Sequence, residues 1–366
     1  MTYIIAFTVL ISIVVFVHEY GHYYYAKKFG VGVTDFSIGF GKEIIGFHDK
    51  HGTRWKLCII PLGGYVKFYG DSNAASMQSS KEKESNLDRS LLLNSKPLYQ
   101  RAIIVSAGPL ANFILAIILF SLIFISVGKD NTIPMISDVV ENSPAEKAGL
   151  KPNDQITFVN NKKINSINEV AKYITLSDTQ VVKIEVLRQN KPLSFNIKTE
   201  VKSAKDNFGN TIKRKMIGIK ISPLKNKLSR EKLGPAKSLF YAVLETYNTI
   251  TLTLSYIGKI ISGTESADQL GGPIKIAQVS GQVAEYGLIP FLSIMAYISI
   301  SLGLINLFPI PLLDGGHLFF YFIEFVRGKP LSDNIQLIFY KFGIFVLFSL
   351  MFFATYNDLR SLGLFN

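Results

Sequence analysis

Two long stretches of this sequence contain no charged side chain, and they limit what the chain can fold into. They are residues 102–128 and residues 286–313. Each is longer than the ~20 apolar residues that cross the hydrocarbon core of a bilayer. Residues 3–26 and 335–356 are two further apolar stretches with few charges. The sequence therefore predicts a multi-pass α-helical membrane protein with about four transmembrane helices.

The composition agrees with a membrane protein and excludes other classes. Hydrophobic residues make up 48% of the 366 residues and charged residues 18%. The net charge is +12, but the lysines and arginines lie mostly between the apolar stretches, so we expect membrane lipids and no nucleic acid as their partner. A single cysteine, Cys58, excludes an internal disulfide framework and a cysteine-rich zinc finger. Any metal site must therefore use histidine and carboxylate ligands.

Lys27 and Lys28 follow the first apolar stretch directly. The positive-inside rule orients that stretch with its start outside and its end in the cytoplasm. Its start lacks the basic residues of a cleavable signal peptide, so we expect the helix to be retained. Residues 239–261 repeat apolar side chains at intervals of three and four but contain Glu245, which indicates an amphipathic helix on or against the membrane. The sequence does not decide whether this helix crosses the membrane. An additional crossing would reverse the direction in which the stretch ending at Asp314 spans the membrane.

His18, Glu19 and His22 form the pattern His-Glu-x-x-His inside the first apolar stretch. On an α-helix, residues four apart share one face, so both imidazoles can bind one ion while the carboxylate stays free as a general base. In zinc metalloproteases this glutamate takes a proton from a water and passes it to the leaving amine. The alternative is two solvated histidines at a helix end. Because polar groups inside an apolar helix are costly unless paired or metal-bound, we favour the metal site.

A tetrahedral catalytic zinc needs a third protein ligand, and Asp314 is the best candidate because it is the first acidic residue after residues 286–313. Prolines and glycines around it predict a broken helix that lines a polar cavity. With four spans, Asp314 and His18 lie at matching depth; with five they do not. Asn306 is expected either to donate its amide to an oxyanion or the substrate backbone, or to be a buried asparagine bonded to nearby backbone. His317 is expected to be a supporting partner or a helix-end histidine.

Further motifs lie along the chain in a fixed order. They are Pro61-Leu-Gly-Gly-Tyr-Val-Lys67, Gly108-Pro-Leu-Ala-Asn112, Gly272-Pro-Ile274, Asn306-Leu-Phe-Pro309 and Leu313-Asp314-Gly315. Together with the histidine pattern they resemble the site-2 protease family of intramembrane zinc metalloproteases, peptidase family M50, over nearly the whole chain. The resemblance implies one catalytic Zn²⁺ ion held by His18, His22 and Asp314, with Glu19 as the general base and Asn306 assisting.

Residues 54–69 alternate loosely around Gly63 and Gly64, which predicts a β-hairpin. An unpaired hairpin edge inside a membrane is costly, and an extended substrate that adds as a further strand would remove that cost. The resemblance likewise implies a membrane re-entrant β-hairpin that presents the substrate. Gly63, Gly64 and Tyr65 are therefore predicted to bind substrate. An ordinary cytoplasmic hairpin is the alternative.

Residues 129–222 are polar and lack long apolar stretches, which predicts one small soluble domain. A helix start and a glycine stop within residues 142–150, and strands at 155–159 and 181–187, resemble a PDZ domain, which binds peptides by strand addition. We expect its peptide ligand near residues 133–136, which are almost equally well explained as a plain structural strand. The insert has room for one such domain, which departs from the two tandem domains that the resemblance implies.

The predictions divide the chain into four parts. They are an N-terminal membrane core at 1–128, one inserted PDZ domain at 129–222, an amphipathic connecting helix at 223–262 and a C-terminal membrane core at 263–366. The resemblance implies cleavage of single-pass transmembrane substrates, anti-sigma factors or remnant signal peptides, in regulated intramembrane proteolysis. It implies the bacterial inner membrane, with the PDZ domain in the periplasm and the active site toward the cytoplasm. A membrane metal transporter and a membrane-tethered PDZ scaffold without catalysis are the alternatives.

Overall fold

A computed structural model describes residues 2–70, 88–175, 177, 179–205, 211–224, 229–264, 267 and 271–362 of the chain. They form two compact units. The core unit comprises Met1–Phe120, Ala242–Thr253 and Leu270–Asn366, and the insert unit comprises Ser121–Tyr241 and Leu254–Gln269.

The helices and strands follow in chain order. The helices are α1 (Thr2–Lys28), α2 (Leu98–Val127), α3 (Pro144–Lys147), α4 (Ile167–Thr175), α5 (Pro235–Ile261), α6 (Pro273–Glu285), α7 (Leu288–Asn306), α8 (Asp314–Arg327) and α9 (Asp333–Ser361). The strands are β1 (Val33–His48), β2 (Arg54–Phe68), β3 (Lys129–Asp130), β4 (Pro134–Val139), β5 (Gln155–Val159), β6 (Lys162–Lys163), β7 (Val181–Arg188), β8 (Lys191–Lys198), β9 (Glu200–Lys205), β10 (Thr211–Met216), β11 (Ile219–Pro223) and β12 (Arg230–Glu231).

Four helices of the described chain are long and apolar enough to cross a membrane, namely α1, α2, α7 and α9. Each of the four apolar stretches named in the sequence overlaps one of these helices. The amphipathic helix α5 is not among them. On α9 the phenylalanines Phe345 and Phe352 are 68% and 76% exposed. Large exposed apolar side chains of this kind suit a surface that faces lipid.

The hairpin predicted at residues 54–69 is wrong in its boundaries. Residues 54–68 form the single strand β2, which pairs antiparallel with β1, and the turn between the two strands lies at residues 49–53. Gly63 and Gly64 lie inside β2, where Gly63 has a φ of 150° and the register shifts. Strand β1 was not predicted from the sequence because it contains three glycines, which are unusual in strands.

Both strands of this hairpin bend, so that β1 has β2 on both sides over its first half. Ser37 pairs with Tyr65 on one side and with Lys56 on the other. The second half of β1 pairs with residues 54–58 again, as Gly46 does with Lys56. Residues 64–68 therefore form one edge of a curled sheet.

The turn of the hairpin is fixed to α1 by Asp49. Its carboxylate accepts hydrogen bonds from Tyr23 Oη at 2.6 Å and from Trp55 Nε1 at 3.1 Å. The backbone N–H groups of His51 and Thr53 donate to its other oxygen at 2.8 and 2.9 Å. Partial burial acts to raise the pKa of Asp49, but these hydrogen bonds outweigh it and hold the pKa well below its usual range.

Two polar contacts tie the helices of the core unit together. Arg101 at the start of α2 forms a two-pronged ion pair with Glu324 of α8, at 3.0 and 2.5 Å. Asp358 near the end of α9 accepts hydrogen bonds from the backbone N–H groups at the start of α6, those of Gly272, Ile274 and Lys275, at 2.8 to 3.0 Å. The free N–H groups of a helix start need acceptors, and this buried carboxylate provides them.

The insert unit is built on a sheet with the strand order β11-β4-β5-β7-β8, and β6 adds to β5. Its core consists of fully or almost fully buried aliphatic side chains, among them Ile136, Ile156, Val159, Ile184 and Ile197. Strand β12 pairs with β3, and α5 begins at Pro235. The insert is therefore closed by residues 230–231 and extends beyond the predicted end at 222.

The peptide site predicted near residues 133–136 is wrong. Residues 134–136 lie in β4, which has β11 on one side and β5 on the other. A strand with partners on both sides has no edge to which a peptide can add. The edge strand at this end of the sheet is β11, and α4 lies against it.

Candidate metal centre

His18 and His22 lie one turn apart on the buried face of α1, as their spacing predicts. They are 7% and 8% exposed, and their Nε2 atoms are 3.3 Å apart. The helix forms here because the stretch is continuously apolar around the motif, and Lys27 and Lys28 in its last turn interact favourably with the helix dipole. Tight packing on α2 holds the helix in place, since a Cβ atom at Gly21 would lie 2.4 Å from the carbonyl oxygen of Ala107.

Asp314 is the first residue of α8, directly after a break in the helical structure. Helix α7 ends at Asn306, and Pro309 and Pro311 between the two helices lack the N–H groups that a helix needs. The predicted broken helix around Asp314 is therefore confirmed. Leu312 has a φ of 83°, which a residue with a side chain rarely adopts.

The break folds back tightly on the start of α8. A Cβ atom at Gly315 would lie 2.3 Å from the carbonyl oxygens of Leu307 and Phe308. Only glycine fits such an approach of backbone to backbone. The fold-back directs the Asp314 carboxylate toward α1.

The three predicted ligand side chains meet at one point. Asp314 Oδ2 lies 3.2 Å from His18 Nε2 and 3.5 Å from His22 Nε2. Within the described ranges, these three residues are the group of His, Cys, Asp or Glu side chains whose ligand atoms lie within 4.8 Å of one another. The structure thus brings together residues from the two ends of the chain.

The hydrogen bonds around this group favour a cation. Nδ1 of His22 lies 2.9 Å from the carbonyl oxygen of Ile104, which can only accept, so in the neutral imidazole Nδ1 carries the hydrogen and Nε2 carries the lone pair. Asp314 Oδ2 is buried and lies within 3.5 Å of both Nε2 atoms. Buried acceptors that face one another are costly unless a positive charge lies between them. Two imidazole nitrogens and a carboxylate oxygen suit Zn²⁺ and leave a fourth position open.

Glu19 lies beside the ligand group without belonging to it. It is 9% exposed. A Cβ atom at Gly64 would lie 2.8 Å from Val15 Cγ1 and 3.1 Å from Glu19 Cγ, so the glycine allows β2 to approach α1 here. The carboxylate is therefore held between the metal-ligand group and the edge of the curled sheet.

The predicted substrate residues fall on both sides of this edge. Gly64 contacts Glu19, whereas Gly63 lies against the Phe40 ring, which is 2.6 Å from the position of a Cβ atom there. The ring of Tyr65 stacks on Phe40 with 6.0 Å between centroids. Of these three residues, Gly64 is the one that contacts Glu19.

Asn306 ends α7 beside the ligands. Its Nδ2 lies 3.4 Å from His18 Nε2, so its amide reaches the same point as the three ligand atoms. His317 lies one turn after Asp314 and outside the ligand group, with its ring 6.0 Å from that of Tyr340.

Helix α2 contributes contacts that sequence reasoning missed. The carbonyl of Ile104 holds His22, and the Asn112 side chain lies 3.2 Å from Nδ1 of His18. A backbone carbonyl leaves no trace in a sequence, but Asn112 stands in a motif that the sequence made visible. The sequence alone did not show that α2 packs antiparallel against α1, which brings Asn112 to His18.

Comparison with known proteins agrees with this site. Peptidase family M50 matches residues 6–350. A relative from Agrobacterium fabrum that carries the provisional name of zinc metalloprotease is 41% identical over 98% of this chain and 96% of its own length. The metalloprotease MmpA of Caulobacter vibrioides is 34% identical over 97% of this chain and 95% of its own. Among solved structures, the PDZ domain of the SdrC-like protein from Listeria monocytogenes is 25% identical over 25% of this chain and 87% of that chain, with a TM-score of 0.20.

The family match covers nearly the whole chain, both relatives are named as metalloproteases, and the name of the one from Agrobacterium fabrum specifies zinc. The same pair of properties follows from the site, where three ligand atoms converge next to a free carboxylate. The chain therefore belongs to peptidase family M50 and is a zinc metalloprotease.

Proposed function

We propose that this metalloprotease hydrolyses a peptide bond within the membrane segment of single-pass membrane proteins, such as anti-sigma factors or remnant signal peptides, in regulated intramembrane proteolysis. The position of the ligand group carries the proposal. Two ligands come from α1 and the third begins α8, after the break that follows α7, and both α1 and α7 are long and apolar enough to cross a membrane. A reaction at this group takes place between such helices.

His18, His22 and Asp314 hold the zinc ion in this proposal. When bound, zinc polarises the scissile carbonyl and acidifies a water molecule. Glu19 accepts the proton of that water and returns it to the leaving amine. Asn306 donates its amide to the scissile carbonyl oxygen as negative charge develops there. The proximity of both side chains to the ligand atoms supports these roles.

The substrate binds as an extended strand along residues 64–68 of β2. Over these residues the described strand pairing gives β2 a partner on one side, β1. The close approach of Gly64 to Glu19 supports substrate binding along this edge. Strand addition also unwinds a helical substrate, whose scissile bond is otherwise shielded by the hydrogen bonds of its own helix. Gly64 and Tyr65 belong to this binding edge, and Gly63 provides the bend before it.

The bent ends of the curled sheet enter the membrane from the cytoplasmic side. Ile44, Ile45 and Ile59 at these bends are 58%, 67% and 57% exposed, as lipid-facing side chains would be. The opposite end of the hairpin, the turn at Asp49, is bonded to Tyr23, one turn from the lysines that mark the cytoplasmic end of α1.

The insert unit acts as a PDZ domain in the periplasm of a bacterium, and the core unit lies in the inner membrane. A peptide binds along β11, the edge strand beside α4, by strand addition. The order of sheet and helices in the insert supports this assignment. The basic residues at the end of α1 support the sidedness.

The decisive experiment compares Glu19→Gln with Glu285→Gln, a matched change at an exposed position of α6. Purified protein is assayed for bound zinc and for cleavage of a reporter with a single membrane segment. Glu19→Gln should retain zinc and lose cleavage by at least ~100-fold, the range of a general base, while Glu285→Gln keeps both. Undiminished cleavage by Glu19→Gln would remove Glu19 from the mechanism.

Two further measurements separate the alternatives, namely zinc uptake and deletion of the insert. A metal transporter needs ligands along a path, whereas the described residues contain the one group at His18, His22 and Asp314. Zinc uptake into proteoliposomes without reporter cleavage would favour transport. A scaffold without catalysis predicts that Glu19→Gln has no effect while deletion of residues 129–222 abolishes function.

A further inference from the structure

Asn112 of α2 is a buried polar residue that the proposed mechanism does not use. It is 0% exposed, and its Nδ2 lies 3.2 Å from Nδ1 of His18. Its Oδ1 is buried and has no hydrogen-bond partner in the described part of the chain. A fully buried amide with an unpaired oxygen is costly, so its presence requires an explanation.

The tautomer of His18 gives that explanation. To offer a lone pair at Nε2, the neutral imidazole must carry its hydrogen on Nδ1. That N–H then needs an acceptor inside the protein. A half-turn of the Asn112 amide about its terminal bond exchanges Oδ1 and Nδ2 without moving any other group. Oδ1 then accepts a hydrogen bond from Nδ1–H of His18. Without the half-turn, the Nδ2 group of Asn112 and the Nδ1–H group of His18, which are both donors, would face each other.

The neighbouring ligand is held in the same manner. Nδ1 of His22 donates to the carbonyl oxygen of Ile104, 2.9 Å away. Ile104 and Asn112 are two turns apart on α2, and they face His22 and His18 on the antiparallel α1. One helix thus supplies the acceptor for both imidazoles.

Asn112 is itself fixed in position. Ser299 of α7 donates a hydrogen bond to its backbone oxygen at 2.9 Å, and the Gly303 backbone packs against its Cβ atom. The amide therefore has little freedom other than the half-turn. A rigid acceptor at this point orients the imidazole ring as well as its hydrogen.

We propose that Asn112 is a positioning residue that accepts the Nδ1 hydrogen of His18 and thereby aims the Nε2 lone pair at the zinc ion. The inference rests on the zinc site of the proposed function. It assigns a role to the Gly108–Asn112 motif, whose last residue touches a ligand and none of the reacting atoms.

The test measures zinc affinity of the full-length protein in detergent, by competition with a chromogenic chelator. Asn112→Leu keeps the volume and removes the acceptor, whereas Asn112→Asp keeps an acceptor. Asn112→Leu should weaken zinc binding by about 10- to 100-fold, and Asn112→Asp should restore most of the affinity. Ser106→Ala, on the same helix with a hydroxyl bonded to its own turn, should bind like wild type.

A second pair covers the case in which Asn112→Leu does not fold, as judged by its elution and its metal-free Tm. Asn112→Ser and Asn112→Ala leave cavities of similar size, but only serine offers an acceptor. Zinc should bind more weakly to the alanine variant.

Three results would overturn the proposal. They are wild-type affinity in folded Asn112→Leu, equal losses in folded Asn112→Asp and Asn112→Leu, or equal affinities in the serine and alanine variants. His18→Ala run in parallel identifies the step at fault. If it also leaves zinc binding unchanged, the ligand assignment itself is wrong.

Discussion

Gly108 of α2 and His22 of α1 lie so close that a Cβ atom at Gly108 would be 2.2 Å from Nε2 of His22. This nitrogen is the atom that faces Asp314. The glycine therefore provides the space in which the second imidazole stands. Helix α2 thus leaves room for His22 at Gly108. It also contacts His22 through the carbonyl oxygen of Ile104 and His18 through the side chain of Asn112.

Gly108→Ala should disrupt zinc binding. The added methyl group forces the His22 ring away from His18 and Asp314, because real Cβ contacts do not reach this distance. We expect at least a ~10-fold loss of zinc affinity, the scale seen when the surroundings of a metal ligand change, and a parallel loss of cleavage. Chelator competition measures the affinity.

Gly258→Ala is the matched control for this prediction. Gly258 lies within α5 with nothing within 4 Å of a Cβ atom placed there. The change should leave zinc affinity untouched and stabilise the helix by about 0.5–1 kcal/mol. Wild-type zinc binding in Gly108→Ala would contradict the close packing of α1 and α2.

Arg101→Ala or Glu324→Ala should each destabilise the core unit. Their ion pair joins α2 to α8, the helix that begins with Asp314, and the two side chains are only 11% and 18% exposed. Removal of one partner leaves a largely buried charge unpaired, at a cost of about 3 kcal/mol. Thermal unfolding of both single variants and the double variant gives the coupling. Strict additivity of the two losses would show that the pair contributes nothing.

The ion pair of Lys220 with Asp138 serves as the comparison, because these side chains are 68% and 52% exposed. Exposed pairs are screened by water and salt. The same double-variant cycle should detect no coupling there.

Asp358→Asn should loosen the start of α6. The carboxylate accepts hydrogen bonds from three backbone N–H groups there, and an amide with one acceptor oxygen cannot replace them all. Amide hydrogen exchange of Ile274 and Lys275 should accelerate on the order of fivefold, as expected for a lost helix cap of ~1 kcal/mol. Asp333→Asn, a change at an exposed residue in the first turn of α9, should leave these rates as they are. Unchanged exchange in Asp358→Asn would contradict the cap.

Asp49→Asn should loosen the turn of the curled sheet in a pH-dependent manner. The pKa of Asp49 is lowered in the folded protein, so its ionised form contributes stability that is present at neutral pH and is lost as the pH falls through the folded-state value. Variant and wild type should differ fully above pH ~5, begin to converge only below the ordinary aspartate pKa of ~4, and coincide once the pH has fallen through the lower folded-state pKa.

The readout for this turn is built into the chain. Trp55 is the one tryptophan of the sequence, and its Nε1 donates to Asp49. Its fluorescence therefore reports the turn directly, and the variant should show red-shifted emission at neutral pH. A wild-type spectrum and a wild-type thermal midpoint at pH 7 would contradict the prediction.

The ligand group could be predicted from the sequence because each member has a local signal. His18 and His22 stand at helical spacing in an apolar stretch, and Asp314 is the first charge after a long uncharged one. The prolines before Asp314 also predicted the break in the helical structure. Charged side chains are rare inside apolar stretches because their burial in a membrane costs free energy. Those that do occur therefore indicate a functional site.

The curled sheet could not be predicted in the same way. Glycine has no side chain to show whether it turns a hairpin or bends a strand, and Gly63 does the latter because the Phe40 ring lies against it. The peptide edge of the insert was misplaced for a related reason. Pairing on both sides of β4 depends on β11, which is remote from it in sequence.

The two ends of the ligand group also differ in when they are made. His18 and His22 are synthesised with the first helix, whereas Asp314 follows only after the insert and the third long apolar helix have been translated. The cation site is therefore incomplete for most of the time that a ribosome spends on this chain. A nascent copy cannot cut neighbouring polypeptides until Asp314 has been made and has reached the two histidines, so the order of the elements delays the enzyme's own activation.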